Sequence, residues 1–271
     1  MLVARIDTQE IPVIARDVTK EDGPFRCPEC AGIVLVKKGH VKVHHFAHKP
    51  PFDCQYGQGE SEEHRRAKMA IYDALRVHPD VTKAQLERSL PKGPVRPDVS
   101  CYIRGTPVAI EIQLSTLGLD EIDRRTRAYH SLGICVLWMP LYTDELEHQV
   151  QSILAELGGL RETDQEKRNR YSPAVWEKYL HTLYFGHVFY WSEHATVRPV
   201  HFADFEMHVE GGYDEDGNEH RGYFRSSKRY RTPEIGPPLS IIDFVPLQRK
   251  AWIEANITIP AAHLWTTKAK L

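Results

Sequence analysis

The sequence predicts a mixed α/β (α+β) fold whose central part follows the element order αβββαβ on a mixed sheet. Three observations predict this order. The stretch 60–77 has the apolar spacing of a helix, two extended runs around a glycine follow at 96–115, and a second helical stretch at 117–133 leads into the apolar run ICVLWMP. A strand, a crossover helix and an apolar strand in series are typical of a βαβ unit.

The N-terminal part combines short strands with potential metal ligands. The runs LVARI and IPVIARDV alternate apolar and polar residues, which predicts two strands within residues 2–18. Residues 25–56 then hold three of the five cysteines and four of the fifteen histidines among short extended segments. We therefore expect residues 1–58 to form a first unit that depends on a metal ion.

The first predicted helix, ESEEHRRAKMAIYDALRV, has an apolar face that continues into polar residues at its start. Ala67, Ile71 and Ala74 lie at steps of four and three residues along this face. The same steps taken backwards reach His64 and then Glu60. The first turn is therefore expected to direct an imidazole and a carboxylate toward the interior.

The stretch RPDVSCYIRGTPVAIEIQLS, at 96–115, predicts a hairpin with a two-residue turn at Arg104 and Gly105. In that register Asp98 faces Glu111 directly, with Cβ atoms about 4.5–5.5 Å apart on one face of the sheet. A three-residue loop would instead send the two carboxylates to opposite faces. Two like charges this close need a divalent cation, a shared proton or a nearby base, unless the hairpin simply exposes them to solvent at a sheet edge.

After the apolar run ICVLWMP we expect a helix at 142–157, then the charged linker RETDQEKRNR and a helix that starts at Pro173. Strand-like segments such as HVFYW follow. We predict a core domain over residues 59–160 and an α+β extension over residues 161–271. Within the extension, HRGYFRSSKRYR interleaves basic and aromatic residues, which suits either single-stranded nucleic acid or a surface hairpin without a ligand.

Composition limits the classes of protein to consider. The 271 residues are 41% hydrophobic and 27% charged, with a formal net charge of -2, so any nucleic-acid surface must be local. No run is long and apolar enough for a membrane helix, and the N-terminus lacks the apolar core of a signal peptide. An odd number of cysteines without a secretion signal favours reduced thiols or metal ligands, so we expect a cytoplasmic protein.

The motif CPEC predicts half of a zinc site. The turn between Cys27 and Cys30 directs two thiolates at one point, as tetrahedral zinc requires. The second pair of ligands is expected to be His48 and Cys54, with His45 as the alternative to His48. Four protein ligands leave no position for substrate, so this zinc ion would be structural.

The motifs occur in the order CPEC, KKGHVKVHHFAH, ESEEHRRAK, RPDVS, AIEIQLS, DRRTRAYHSLGICVLWMP. In this order they resemble the PD-(D/E)XK nuclease superfamily and, more closely, the competence protein CoiA-like family, over roughly residues 10–195. The resemblance implies an αβββαβ core in which Asp98 and Glu111 hold Mg²⁺ or Mn²⁺, with Glu60 as an additional acid and Glu63 as its rival. It also implies DNA processing, with single-stranded or branched DNA and other processing proteins as partners.

One residue departs from the superfamily pattern. Gln113 stands where the usual lysine would be, and a glutamine positions water or phosphate without supplying charge. Lys68 and Arg125 are the candidates to supply that charge. His64 is expected to contact phosphate or water or to be a buried structural histidine, and Arg125 and Tyr129 resemble an accessory motif of RecB-like nucleases, with Arg124 and Arg127 as further phosphate contacts.

The prediction that follows is a divalent-metal-dependent deoxyribonuclease that hydrolyses phosphodiester bonds. Two alternatives stay open. The first is a catalytically inactive nucleic-acid-binding protein, because Gln113 replaces the lysine. The second is a zinc-containing protein–protein adaptor.

Overall fold

The computed structural model describes most of the chain. The described residues are 1–6, 12–90, 95–113, 118–142, 146, 171–192, 196–209, 211–213, 217–254 and 257–267. For residues 113, 207–209, 220 and 254 it describes the backbone alone. No helix within this described part is long and apolar enough to cross a membrane.

The N-terminal unit is a small antiparallel sheet. Its five strands are β1 (Val3–Ile6), β2 (Val13–Ile14), β3 (Phe25–Arg26), β4 (Ile33–Lys37) and β5 (His45–His48), in the order β2-β1-β3-β4-β5. Alternate residues of β4 and β5 face inward, where Val34, Val36 and Phe46 pack in a cluster of their own. This core is small, so the unit has little apolar burial with which to offset its chain entropy.

The central domain has the predicted order of elements. They are α1 (Glu62–Arg76), β6 (Val81–Leu86), β7 (Val99–Ile103), β8 (Thr106–Gln113), α2 (Leu119–Ser131) and β9 (Cys135–Pro140). Strands β6, β7 and β8 pair antiparallel, and β8 pairs parallel with β9 across the α2 crossover. The mixed sheet and the αβββαβ order are thereby confirmed.

The hairpin has the register that its turn predicts. Val99 pairs with Ile110, and Arg104 and Gly105 both have positive φ angles, of 47° and 81°, as a two-residue turn of type I′ requires. Continued by one pair, the register brings Asp98 opposite Glu111.

The hairpin is not a solvated sheet edge, however. Strand β8 lies between β7 and β9, and consecutive residues on its two faces are all buried, from Ala109 to Ile112. The alternative of two acids exposed to solvent is therefore wrong. Only 3% of Glu111 is exposed to solvent, because helices cover the sheet.

Helix α1 begins later than its apolar face indicates. Ser61 is the N-cap, and its hydroxyl oxygen accepts a hydrogen bond from the His64 backbone N–H at 3.1 Å. Glu60 therefore precedes the helix instead of opening it. Its side chain still turns inward, where 9% of it is exposed.

The C-terminal extension returns to the core sheet. Its elements are α3 (Val175–Leu183), β10 (Val188–Ser192), β11 (Thr196–Val209), β12 (Gly212–Tyr213), β13 (Glu219–His220), β14 (Tyr223–Ile235), β15 (Val245–Arg249), β16 (Trp252–Glu254), β17 (Ile257–Ile259) and β18 (Ala262–Thr266). Strand β18 pairs parallel with β9, and β15 pairs antiparallel with β18, giving the order β15-β18-β9-β8-β7-β6. The extension is therefore continuous with the core sheet.

The three features predicted between β9 and β10 have different outcomes. Helix α3 begins at Val175, two residues after Pro173, and the Glu177 carboxylate accepts from the Ala174 N–H at 2.7 Å at its start. The predicted helix at 142–157 and the charged linker lie outside the described residues, apart from the first residue, 142, and Leu146, which is buried.

Candidate functional site

The first site is a convergence of three thiols and one imidazole. Cys27 and Cys30 follow β3, His48 ends β5, and Cys54 comes six residues later. Their ligand atoms all lie within 4.8 Å of one another, and Cys30 Sγ lies 3.4 Å from His48 Nε2. Such distances suit four ligands around one zinc ion, with Zn–S bonds of about 2.3 Å.

Backbone donors support the two thiols of the CPEC turn. The Glu29 N–H donates to Cys27 Sγ at 3.3 Å, and the Gly32 N–H donates to Cys30 Sγ at 3.4 Å. Burial raises the pKa of Cys27 to about 11, whereas the Gly32 hydrogen bond lowers the pKa of Cys30. These groups fit a zinc ion, which binds thiolates and would itself lower both pKa values.

The structure separates the two candidate histidines. His48 is 8% exposed and lies in the cluster, whereas the Nδ1 atom of His45 lies 2.8 Å from the Val43 carbonyl oxygen, outside it. The two residues are three positions apart in a strand, so their side chains leave opposite faces of it. The favoured set of Cys27, Cys30, His48 and Cys54 is the one that the fold brings together.

The second site is built around Asp98, just before β7. The Asp98 Oδ2 atom accepts from the Ile112 N–H at 2.9 Å and lies 3.0 Å from His64 Nε2. Burial opposes ionisation of Asp98, but the His64 hydrogen bond and the charge of Lys68 outweigh burial and lower its pKa. Asp98 is therefore an oriented carboxylate.

Glu111 occupies a different environment on the neighbouring strand. Its Oε1 atom accepts hydrogen bonds from the guanidinium of Arg125 and the hydroxyl of Tyr129, both on α2. Burial raises the pKa of Glu111 to about 7, against the opposing charge of Arg125 and with a contribution from the Asp98 charge. A further positive charge beside Glu111 would favour its ionised form.

This pair of carboxylates fits a hard divalent cation. In the described part of the chain, hydrogen bonds engage one oxygen of each group, Oδ2 of Asp98 and Oε1 of Glu111. The second oxygen of Asp98, Oδ1, makes no hydrogen bond among the described residues but lies 3.8 Å from the Lys68 ammonium. Magnesium is usually held by one or two carboxylates together with water and substrate phosphate.

A buried lysine neutralises the acids on the α1 side of this site. The Lys68 ammonium contacts the carboxylates of Glu60 and Glu87 and lies 3.8 Å from Asp98 Oδ1. Glu87 also accepts from the Tyr56 hydroxyl and, at 2.9 Å, from the Leu2 N–H. Burial opposes the charge on Glu87, but Lys68 outweighs it and lowers the pKa of Glu87 to about 2.

Sequence reasoning missed Glu87. It follows β6 with a φ of 48°, a left-handed value that is uncommon outside glycine, and its N–H donates to the Asp98 carbonyl at 3.0 Å. The pairing of β6 with β7 also shifts between Thr82 and Gln85. Alternation along TKAQLERSL therefore gives no signal that this acid faces inward.

The remaining candidates divide between the site and the surface. Glu60, His64, Lys68 and Asp98 form one connected group, and Glu111, Arg125 and Tyr129 form the other. Glu63 is exposed on α1, and Arg124 and Arg127 pair within α2 with Glu121 and Asp123. The backbone of Gln113 lies opposite Pro140 at the end of β8, and its side chain lies outside the described part.

Comparison with known proteins finds two family models that match the chain. The model of the competence protein CoiA nuclease-like domain matches residues 60–181, and that of the CoiA N-terminal domain matches residues 11–57. The competence protein CoiA of Bacillus subtilis (strain 168) is 32% identical over 120 residues. That match covers 44% of this chain and 32% of the Bacillus protein, so the chain spans about a third of that relative. No solved structure matches the chain.

The fold and the two sites define a protein with a nuclease-like mixed α/β domain behind an N-terminal unit that carries a Cys/His metal-binding cluster. The two family models match these same two parts in the same order. The chain belongs to the competence protein CoiA-like family.

Proposed function

We propose that this protein is a divalent-metal-dependent nuclease that hydrolyses phosphodiester bonds in DNA. The observation that carries the proposal is the position of Asp98 just before β7, one register step beyond the Val99–Ile110 pair and so across from Glu111, with one oxygen of each held by hydrogen bonds. Paired carboxylates are the donor set that Mg²⁺ or Mn²⁺ takes together with a phosphate. When bound, the cation supplies positive charge to the phosphate and activates water for in-line attack.

The chain's own residues have distinct parts in this proposal. His64 and the Ile112 N–H hold the Asp98 carboxylate in one orientation, and Tyr129 and Arg125 do the same for Glu111. Lys68 supplies the positive charge that the superfamily lysine provides elsewhere, at 3.8 Å from Asp98. Gln113, two residues after Glu111 in β8, is proposed to position water. Zinc bound by the Cys/His cluster would stabilise the N-terminal unit. None of the five cysteines forms a disulfide, which suits the reducing cytoplasm.

A non-catalytic nucleic-acid-binding protein is the second candidate, and one observation favours it. Lys68 and Arg125 already compensate the buried acids without a metal ion. Because these ion pairs offset the charge of the buried carboxylates, the fold can remain stable in a protein that has lost catalysis.

Cleavage assays with isosteric variants test the proposal. Purified protein is incubated with labelled single-stranded, duplex and branched DNA and Mn²⁺, beside the variants Asp98→Asn and Glu111→Gln. We expect both variants to lose cleavage about 100-fold or more, because each removes a charged ligand. The controls Asp123→Asn and Glu63→Gln make the same chemical changes on helices outside the site and should cleave as the unaltered protein does.

Three outcomes decide among the candidates. Cleavage that persists in Asp98→Asn and Glu111→Gln would show that the nuclease site lies elsewhere. DNA binding without cleavage by the unaltered protein would favour the non-catalytic candidate. Absence of both would leave the zinc-containing adaptor.

A further inference from the structure

A cleft separates the zinc unit from the nuclease-like domain beside the Glu111 site. It has a volume of about 920 Å³, and both units line it. The zinc unit contributes Lys49 and Phe52, and the core contributes Arg96 and Arg125. Arg125 is the residue whose guanidinium contacts Glu111, so the cleft opens next to the candidate catalytic carboxylates.

The cleft has the chemistry of a site for a nucleotide. Arg96 and Arg125 line the cleft, and 16% and 20% of their side chains are exposed, so part of each guanidinium-bearing side chain is within reach of a phosphate. Phe52 is 41% exposed and stacks on His48 with ring centroids 5.0 Å apart. An aromatic ring that is fixed in place and open on its other side is suited to base stacking.

The charged residues at this cleft leave a small positive excess. Lys49, Arg96 and Arg125 line it together with two acids, Glu29 and Asp53, and the Glu29 carboxylate pairs with Arg96. Arg96 is itself fixed, with its guanidinium 4.0 Å from the centroid of the Tyr56 ring. The arginines are therefore positioned before any ligand arrives, which lowers the entropy cost of binding.

A basic track leads away from the cleft along the outer face of the zinc unit. Ile33, Leu35 and Lys37 form the exposed side of β4, and a second depression of about 870 Å³ runs beside them. Residues 31–52 contain Lys37, Lys38, Lys42 and Lys49 and no acidic residue, and all four lysines are exposed. A row of apolar side chains bordered by lysines can contact bases and phosphates of one strand together.

We propose that the zinc unit binds single-stranded DNA along β4 and directs it through the cleft to the Asp98 and Glu111 site. This inference deepens the proposed nuclease function and rests on it for the direction of the strand. A single strand is favoured over a duplex because the exposed Phe52 ring at the cleft offers a stacking surface for an unpaired base. Zinc bound by Cys27, Cys30, His48 and Cys54 would then have a function beyond local stability, because Lys49 and Phe52 lie between two of these ligands in the chain.

The arm formed by β11 and β14, which carries most of the HRGYFRSSKRYR segment, is the competing surface. It has Tyr223 and Phe224 exposed, but residues 196–235 contain six arginine and lysine residues against eight acidic ones. Its charge therefore does not match a polyanion, in contrast to residues 31–52.

Two variants with equal charge changes separate these surfaces. The track variant is Lys37→Ala, Lys38→Ala, Lys42→Ala, and the arm variant is Arg225→Ala, Lys228→Ala, Arg229→Ala. Binding of a fluorescent oligothymidylate is measured by anisotropy over a range of salt concentrations, without added Mn²⁺. We expect the track variant to bind about tenfold or more weakly. Its plot of log affinity against log salt concentration should also have a slope shallower by about 2, because each of the three lost phosphate contacts contributes roughly 0.7 to the slope. The arm variant should bind as the unaltered protein does.

Phe52→Ala tests the stacking part of the proposal separately. We expect a loss of affinity of about tenfold with an unchanged salt slope, because the variant removes a ring and no charge. Zinc content and a thermal melt of every variant check that the unit remains folded. The three lysines of the track variant are exposed, and Lys38 donates to the Arg16 carbonyl at 3.1 Å.

Each remaining outcome has a defined meaning. Unchanged binding by the track variant, or a loss confined to the arm variant, would overturn the inference. Tighter binding of duplex DNA, or of single-stranded RNA of matched sequence, would overturn the assignment to single-stranded DNA. If the track variant binds more weakly but the unaltered protein does not cleave DNA in Mn²⁺, the nuclease proposal is wrong and the track remains a DNA-binding surface. If the protein cleaves DNA but the track variant binds as tightly as the unaltered protein, the track proposal is wrong and the nuclease proposal stands.

Discussion

The Lys68 ammonium contacts the Glu87 carboxylate in the interior, and each side chain is only 4% exposed. This pair joins α1 to the end of β6 and connects both elements to Asp98. Because Lys68 also contacts Glu60, one buried cation balances several acids that would otherwise repel one another.

Replacing Lys68 with methionine should therefore destabilise the protein strongly. The variant leaves Glu87 and Glu60 buried without their cation, which typically costs about 3–5 kcal/mol of the free energy of unfolding. Urea unfolding at neutral pH measures this loss. Arg124→Met removes an exposed partner of Glu121 and should change the same free energy by less than about 1 kcal/mol. Equal small losses in both variants would show that the buried pair carries no stability.

The zinc ligands can be tested with two neighbouring histidines. His48→Gln should lose the bound zinc and unfold the N-terminal unit, because His48 Nε2 belongs to the converging ligand set. His45→Gln should retain about one equivalent of zinc. Metal analysis of the purified variants measures the difference. If His48→Gln retains zinc, His48 is not a ligand. If only His45→Gln loses zinc, His45 is the ligand in its place.

Much of this architecture could be predicted because its determinants are local. The two-residue turn with Gly105 fixes the hairpin register, and the register then places Asp98 opposite Glu111. The spacing of Cys27 and Cys30, followed by His48 and Cys54, similarly limits the metal ligands to a few choices.

Other features could not be predicted because they depend on distant parts of the chain. Strand β18 joins the core sheet by pairing Leu264 with Val136. No local sequence pattern predicts that two strands so far apart in the chain will pair. Glu87 faces inward because the chain has left-handed residues at Lys83 and Glu87 itself, which interrupt the alternation that identifies buried positions. Burial of Glu111 likewise follows from strands on both sides of β8 rather than from its own sequence.

A histidine cluster at the C-terminal sheet should make stability sensitive to acid. Burial lowers the pKa of His181 to about 4, with contributions from the charges of His201, His187 and Arg231. The Phe202 N–H donates to His181 Nε2 at 3.1 Å, a bond that only the unprotonated nitrogen accepts. Between about pH 6.5 and pH 4 the unfolded chain therefore binds more protons at this residue, so stability is present above this window and falls as the pH falls through it.

Urea unfolding at several pH values checks this dependence. His181→Gln should lose less free energy of unfolding on acidification than the unaltered protein loses. The control His40→Gln changes an exposed histidine and should show the unaltered protein's pH dependence. The comparison uses differences between variants because release of zinc in acid affects all three proteins alike. An identical pH dependence for His181→Gln would exclude this cluster as the source.

The hydroxyl of Tyr129 provides the most selective test of the candidate catalytic site. It donates to Glu111 Oε1, whereas the hydroxyl of Tyr179, also buried, donates to Asp123 on the outer part of α2. Changing either tyrosine to phenylalanine removes one hydrogen bond to a carboxylate and should cost about 1–3 kcal/mol of the free energy of unfolding. Only Tyr129→Phe should reduce Mn²⁺-dependent cleavage, by about 10- to 100-fold, because it releases the side chain that orients a metal ligand. Cleavage rates and urea unfolding are measured for both variants, to separate the effect of Glu111 orientation on cleavage from the effect of lower stability. An equal loss of cleavage in both variants would show that the loss comes from lower stability.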